Sequence, residues 1–155
     1  DVLGPAINAQ PGDRIAVFNL GIDGADAWQG QTLADFVSVA GNVVTISPKQ
    51  FPLASPGNRF QVVEGPVTYV CNPANGTLTR YWGYPITAGQ PIAFAVATPQ
   101  ALLASHVGAP AGAPCSFEYQ PGVTERGGLV SMRLSLSQAG ETVSLYATTQ
   151  VSNQP

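Results

Sequence analysis

Charge is what this sequence has least of. Asp, Glu, Lys and Arg make up 10% of its 155 residues; Lys49 is the one lysine, His106 the one histidine, and Cys71 and Cys115 are the two cysteines. Each scarcity removes a class of function. Six basic residues against nine acidic ones, with the arginines scattered at Arg14, Arg59, Arg80, Arg126 and Arg133, form no basic stripe to neutralise phosphates, so nucleic acid is not an expected partner. One imidazole and two cysteines without CxxC spacing do not complete a four-ligand zinc site. A serine hydrolase needs a base to take the serine proton, and His106, set in the apolar stretch LLASHV, reads instead as a partly buried structural residue. The nine carboxylates are dispersed and recommend no acid/base couple, and phosphate-cradling loops of the GxGxxG or GxxxxGK type are missing. The expectation is a protein without a cofactor and without catalysis.

Long apolar runs are missing as well. The longest strongly apolar stretch, Ile92 to Ala97, is about a third of the roughly 20 residues that a membrane-spanning helix needs. The opening DVLGPAINAQPGD has neither the basic start nor the apolar centre of a signal peptide. It fits a chain whose export signal has been removed, or the head portion of a longer one.

What is present is β-patterning, 45% hydrophobic residues, and many turn formers: 17 Gly and 14 Pro. This predicts one mainly β domain over 1–155, built of antiparallel sheets with at most short helices. Asp13 to Leu20 reads as a strand after a Pro11-Gly12 turn, Gly24 to Ala34 has room for one helical turn, and Phe36 to Ile46 reads as a hairpin around Gly41-Asn42. Pro48, Pro52 and Pro56 then impose an irregular connection, because proline cannot donate to a ladder. Val67, Tyr69 and Cys71, and after them Leu78, Arg80, Trp82 and Tyr84, alternate on either side of Pro73-Ala74-Asn75-Gly76, which is a hairpin signal. Asn75-Gly76-Thr77 also has the form of a glycosylation acceptor, but the turn accounts for it. Gln100 to Val107 has spacing compatible with a short helix, and GAPAGAP at 108–114 reads as a flexible or polyproline-like loop. Cys115 to Tyr119 reads as a strand, Pro121-Gly122 as a turn, and Val130 to Val151 as a hairpin through Gln138-Ala139-Gly140 with an apolar and a hydroxyl-bearing face.

Three candidate sites follow. Cys71 and Cys115, 44 residues apart, form either a disulfide, which would remove roughly 4 kcal/mol of unfolded-chain freedom and imply an oxidising compartment, or two buried free thiols. Arg80, Tyr81, Trp82 and Tyr84 form either a ligand platform, such as one for sugars, or the packed seam of a sheet and subunit interface. Asp23 and Asp26, three residues apart among glycines, are a weak calcium candidate whose spacing does not match an EF-hand loop; turn and capping roles explain them more simply.

Several phrases occur in order along the chain: VLGPA (2–6), VFNLGIDGADAWQG (17–30), FPLASPGNRFQVVEGPVTYVC (51–71), TLTRYWGYPI (77–86), CSFEY (115–119) and GLVSMRLSLSQAGETVSLYATTQVSN (128–153). Together they resemble the C-terminal region of the minor pilins, or pseudopilins, of MSHA biogenesis in type IV pilus systems. The resemblance implies a β-rich periplasmic head on an inner-membrane-anchored protein, carried later to the pilus and cell surface. It implies contacts with other minor pilins and the major pilin in a complex that initiates or tips the fibre, and a membrane attachment made only by an N-terminal helix absent from this sequence. It also implies an exposed apolar sheet face where that helix would pack. The other reading is a secreted carbohydrate- or surface-binding β module using the Tyr81, Trp82 and Tyr84 strand.

Overall fold

The computed structural model describes residues 7–120 and 128–151, so the expected Pro121-Gly122 turn, Arg126 and the phrase at 2–6 lie outside the described residues. Ten strands run through these residues and every ladder between them is antiparallel, as a mainly β chain should be. Among the described residues no helix is long and apolar enough to cross a membrane. The chain divides into two compact units, one running to Pro66 with Tyr84–Gln90 added, the other comprising Val67–Gly83 and the residues from Pro91 onward.

The first unit is a four-stranded sheet of β1 (Arg14–Ala16), β2 (Leu33–Ala40), β3 (Val43–Ile46) and β4 (Gln61–Val63), in the order β3-β2-β1-β4. Its core is Ile15, Ala16, Ala25, Leu33, Ala34 and Phe36. The strand expected over Asp13 to Leu20 is shorter than its pattern, because Phe18 takes a φ of 48° and leaves the extended region. The β2–β3 hairpin turns at Gly41-Asn42 as predicted, with Val37 as the extra residue of a bulge. Strand β4 was not anticipated: three residues after a proline-rich connection carry too little alternation to be read as a strand, yet they pair with β1 from Arg14↔Val63 to Ala16↔Gln61.

The helical turn expected within Gly24–Ala34 is absent. Gly24 and Gly30 have φ of 83° and 73°, values a right-handed helix does not use, and Leu33 and Ala34 already belong to β2. The segment instead folds as turns, closed by Ala25 N–H to Ile22 O (2.9 Å) and Gln31 N–H to Asp26 O (2.9 Å).

The second unit holds two three-stranded sheets. β5 (Val67–Asn72), β6 (Thr77–Trp82) and β7 (Gln100–Ser105) lie in chain order, and β8 (Cys115–Gln120), β9 (Gly128–Gln138) and β10 (Glu141–Val151) form the other with β9 central. The hairpin expected around Pro73–Gly76 is β5–β6, closed by Gly76 N–H to Pro73 O at 3.3 Å. The C-terminal hairpin pairs eleven residues on each strand without a register shift. Its two-residue turn, Ala139-Gly140, has positive φ at both positions, as a turn matched to the strand twist requires.

The short helix expected over Gln100–Val107 is instead β7 and its continuation. Adjacent Leu102 and Leu103 give a helix no apolar stripe, whereas the free edge of β6 takes the segment as a strand, with Leu103 as the extra residue of a bulge. At His106 the chain turns through a φ of 60°, and Val107 leaves β6 to form a bridge with Leu136 of β9. One stretch of chain therefore ladders first to one sheet and then to the other. Its backbone is tied on both sides, by Val107 N–H to Gly76 O (2.9 Å) and Ser137 N–H to His106 O (2.9 Å).

The 108–114 loop is anchored at both ends to a single residue. Gly108 N–H donates to Ser135 O (3.1 Å), and Ser135 N–H donates to Pro114 O (2.7 Å). The Arg133 guanidinium adds a hydrogen bond to the Ala113 carbonyl.

Candidate interaction surfaces

Cys71 on β5 and Cys115 on β8 are joined, with S–S 2.05 Å and Cα–Cα 6.4 Å. The bond ties the outer strand of one sheet to the outer strand of the other. Of the two readings of the cysteines, the disulfide is therefore the one that holds.

The aromatic strand is split by its own pleat, because neighbours on a strand point to opposite faces. Arg80 and Trp82 share a face, with the guanidinium carbon 4.8 Å from the Trp82 ring centroid, a cation–π contact. Across the β5–β6 ladder Tyr69 lies opposite Arg80 and Val67 opposite Trp82, so this face carries Val67, Tyr69, Arg80 and Trp82. Tyr69 is 50% exposed. Tyr81 points to the other face and stacks on Phe94, centroids 4.3 Å apart and rings within 7° of parallel. Tyr84 lies past the end of β6, in the other unit. Of the four residues singled out from sequence, Arg80 and Trp82 are thus brought together on one face and Tyr81 is placed on the other. Tyr69 and Phe94 are the members that sequence reasoning left out. Tyr69 had a usable signal, since a four-residue turn at 73–76 places residues 69 and 80 directly opposite.

His106 is exposed, contrary to the partly buried position expected of it, and its structural part is played by its backbone. Asp26 is occupied locally: its carboxylate accepts from Trp28 N–H at 2.8 Å and from the Gln29 amide at 3.4 Å. Asp23 sits in the Ile22–Ala25 turn beside Gly24. Among the described residues no group of three His, Cys, Asp or Glu side chains gathers to hold a metal ion.

The β8–β9–β10 sheet also presents an exposed face. Directly opposed residues share a face, and the register puts Phe117 opposite Met132, Tyr119 opposite Val130, Leu134 opposite Leu145 and Leu136 opposite Val143. That face is apolar, and Phe117, Tyr119, Val143 and Leu145 are all exposed. The reverse face is knitted by hydroxyls, with Ser135 Oγ and Ser144 Oγ 2.9 Å apart and Ser137 Oγ and Thr142 Oγ1 2.7 Å apart. Exposed apolar side chains also crown the Ile92–Ala97 stretch, where Ile92 and Val96 are more than nine-tenths exposed while Phe94 is held under Tyr81.

No protein-family model, no curated protein and no solved structure matches this chain.

Proposed function

We propose that this chain is a minor-pilin-like head of a type IV, MSHA-type pilus, working in the periplasm by protein–protein contacts in an initiating or tip complex and not by catalysis. The observation that carries the reading is the exposed apolar face of the β8–β9–β10 sheet, with Phe117, Tyr119, Val143 and Leu145 in contact with solvent. An apolar surface of this kind on a β head is a site for burial against another protein. The ordered phrases from 17–30 to the C-terminal hairpin support the family reading, and the Cys71–Cys115 bond suits an oxidising compartment.

Deletion of the parent gene is expected to reduce surface pili counted by electron microscopy, and the wild-type gene to restore them. A folded Phe117→Ser, Leu145→Ser variant is expected to restore fewer, because it makes the face polar without touching the disulfide. Normal piliation after deletion would sink the proposal. Pull-downs with the other pilin heads of the same operon would identify the subunits that cover this face.

A second reading rests on the Val67, Tyr69, Arg80 and Trp82 face, an aromatic surface with a cation beside it, suited to stacking on a sugar ring. Glycan-array binding lost in Trp82→Ala would promote it, and a blank array would remove it.

A further inference from the structure

The outer edge of β10 is undefended. Natural sheets protect exposed edges with short strands, bulges, prolines or charges, above all lysine. Among the described residues the other outer strands are short, interrupted or tied: β3 and β4 are four and three residues long, β7 carries a bulge at Leu103, and β5 and β8 are six residues long and joined by the disulfide. β10 has none of them. It runs eleven residues from Glu141 to Val151 with no bulge, no proline and no charge after Glu141, and every residue from Glu141 to Gln150 is exposed. Among the described residues β9 is its sole strand neighbour.

We propose that β10 is a self-association edge: two copies of this chain pair β10 with β10, antiparallel about a two-fold axis, fusing two three-stranded sheets into one of six strands. The pairing is self-complementary by geometry. Along the strand only alternate residues direct both N–H and C=O outward, so the outward set of one copy exchanges hydrogen bonds with the same set of the other. The residue numbers of opposed partners are then both odd or both even. Val143, Leu145 and Ala147 therefore meet odd-numbered residues of the second copy on one face, so the apolar faces of the two copies join across the junction. A register centred near Tyr146 places Glu141 of each copy at opposite ends, so no like charges meet. Pairing over Thr142–Gln150 supplies roughly eight to ten main-chain hydrogen bonds, the number typical of a whole protein interface. This inference needs only the strand edge and stands whether or not the chain serves a pilus.

The test is sedimentation velocity on the whole chain from low to several hundred micromolar, with Leu145→Pro and Tyr146→Pro beside it. These positions are adjacent, so one proline removes an outward N–H and the other an N–H that serves β9. The wild-type chain is expected to dimerise, and the proline variant that keeps the native circular dichroism is expected to dimerise at least tenfold more weakly. Should both variants unfold, hydrogen exchange of the wild-type chain decides: alternate amides within Thr142–Gln150 become protected as concentration rises. A chain that stays monomeric throughout, a dimer that survives in the folded proline variant, or a dimer without new protection in β10 would overturn the proposal.

Discussion

In the first unit Ile15, Ala16, Ala25, Leu33, Ala34 and Phe36 are buried, whereas among the described residues of the second the buried apolar side chains are Val107 and Pro114. The second unit is nevertheless the richer in apolar residues exposed to solvent, including Leu102, Phe117, Tyr119, Val143 and Leu145. The two units are therefore held by different means. Apolar burial stabilises the first at roughly 25 cal/mol per Å² removed from water. The second relies on long ladders, hydroxyl pairs across β9 and β10, the strand that passes from β6 to β9 at His106, and one covalent tie. A unit built this way keeps its apolar side chains available for another molecule. The difference between the units is thus also one between buried and exposed apolar side chains.

The covalent tie gives the largest effect. Closing a 44-residue separation removes about 4 kcal/mol of unfolded-chain freedom, so Cys71→Ser with Cys115→Ser is expected to destabilise the second unit by about that amount. Amide exchange resolved by residue would show it as faster exchange across β5 to β10 with the amides of Ile15 and Leu33 unchanged. Equal acceleration in both units would break the comparison.

The converse experiment removes apolar volume from each unit. Ile15→Ala at a 3% exposed site is expected to cost about 3 kcal/mol, while Leu145→Ala at a 54% exposed site should stay within about 0.5 kcal/mol. Urea unfolding of the two variants measures both. Similar losses would mean that Leu145 is covered in solution, as it would be by a partner or a second copy.

Much of the fold was readable from the chain, and the failures have physical causes. The hairpins at 36–46, 67–82 and 128–151 combine two-residue periodicity with turns that tolerate positive φ, so pattern and turn chemistry agree. Gln100–Val107 misled because eight residues hold little helical periodicity, and what fixed it as a strand was the edge of β6, a tertiary fact. Strand β4 and the short extent of β1 were hidden for the same reason: three residues carry almost no period, and partners decide them. The cysteine pair was legible as a disulfide, because two cysteines without metal-ligand spacing and with one histidine between them have no zinc site to form. The aromatic cluster was read by adjacency along the chain, although a strand separates Tyr81 from Trp82 and places Tyr69, eleven residues before Arg80, on the same face as Arg80 and Trp82.

Within the first unit one buried group works against the core. Thr32 is fully buried and its hydroxyl has no hydrogen-bond partner among the described residues, although its carbonyl accepts from Val17 N–H at 3.0 Å. Thr32→Val replaces the hydroxyl by a methyl of similar size and keeps that backbone bond. It is expected to stabilise by about 1 kcal/mol, the usual scale for an unsatisfied buried hydroxyl. A rise of a few degrees in melting temperature is the readout. A fall would show that the hydroxyl is satisfied in solution, by water for example, and that the core is less dry than its apolar lining suggests.

The smallest effect is expected where the first unit displays a charge pair. Arg14 and Asp35 are directly opposed on β1 and β2, 3.3 Å apart, with side chains 41% and 68% exposed. Such a pair sits in high dielectric and spends side-chain entropy to hold its geometry, so its net value is about 0.3 kcal/mol. Asp35→Asn leaves the surrounding backbone bonds in place, since Asp35 N–H donates to Ser47 Oγ and Ser47 N–H to the Asp35 carbonyl. A double-mutant cycle with Arg14→Met measures the coupling free of other losses. A coupling above about 1 kcal/mol would move part of the first unit's stability from its core to its surface, and would narrow the contrast with the second unit, where side-chain pairing on the sheet face already carries the weight that burial does not.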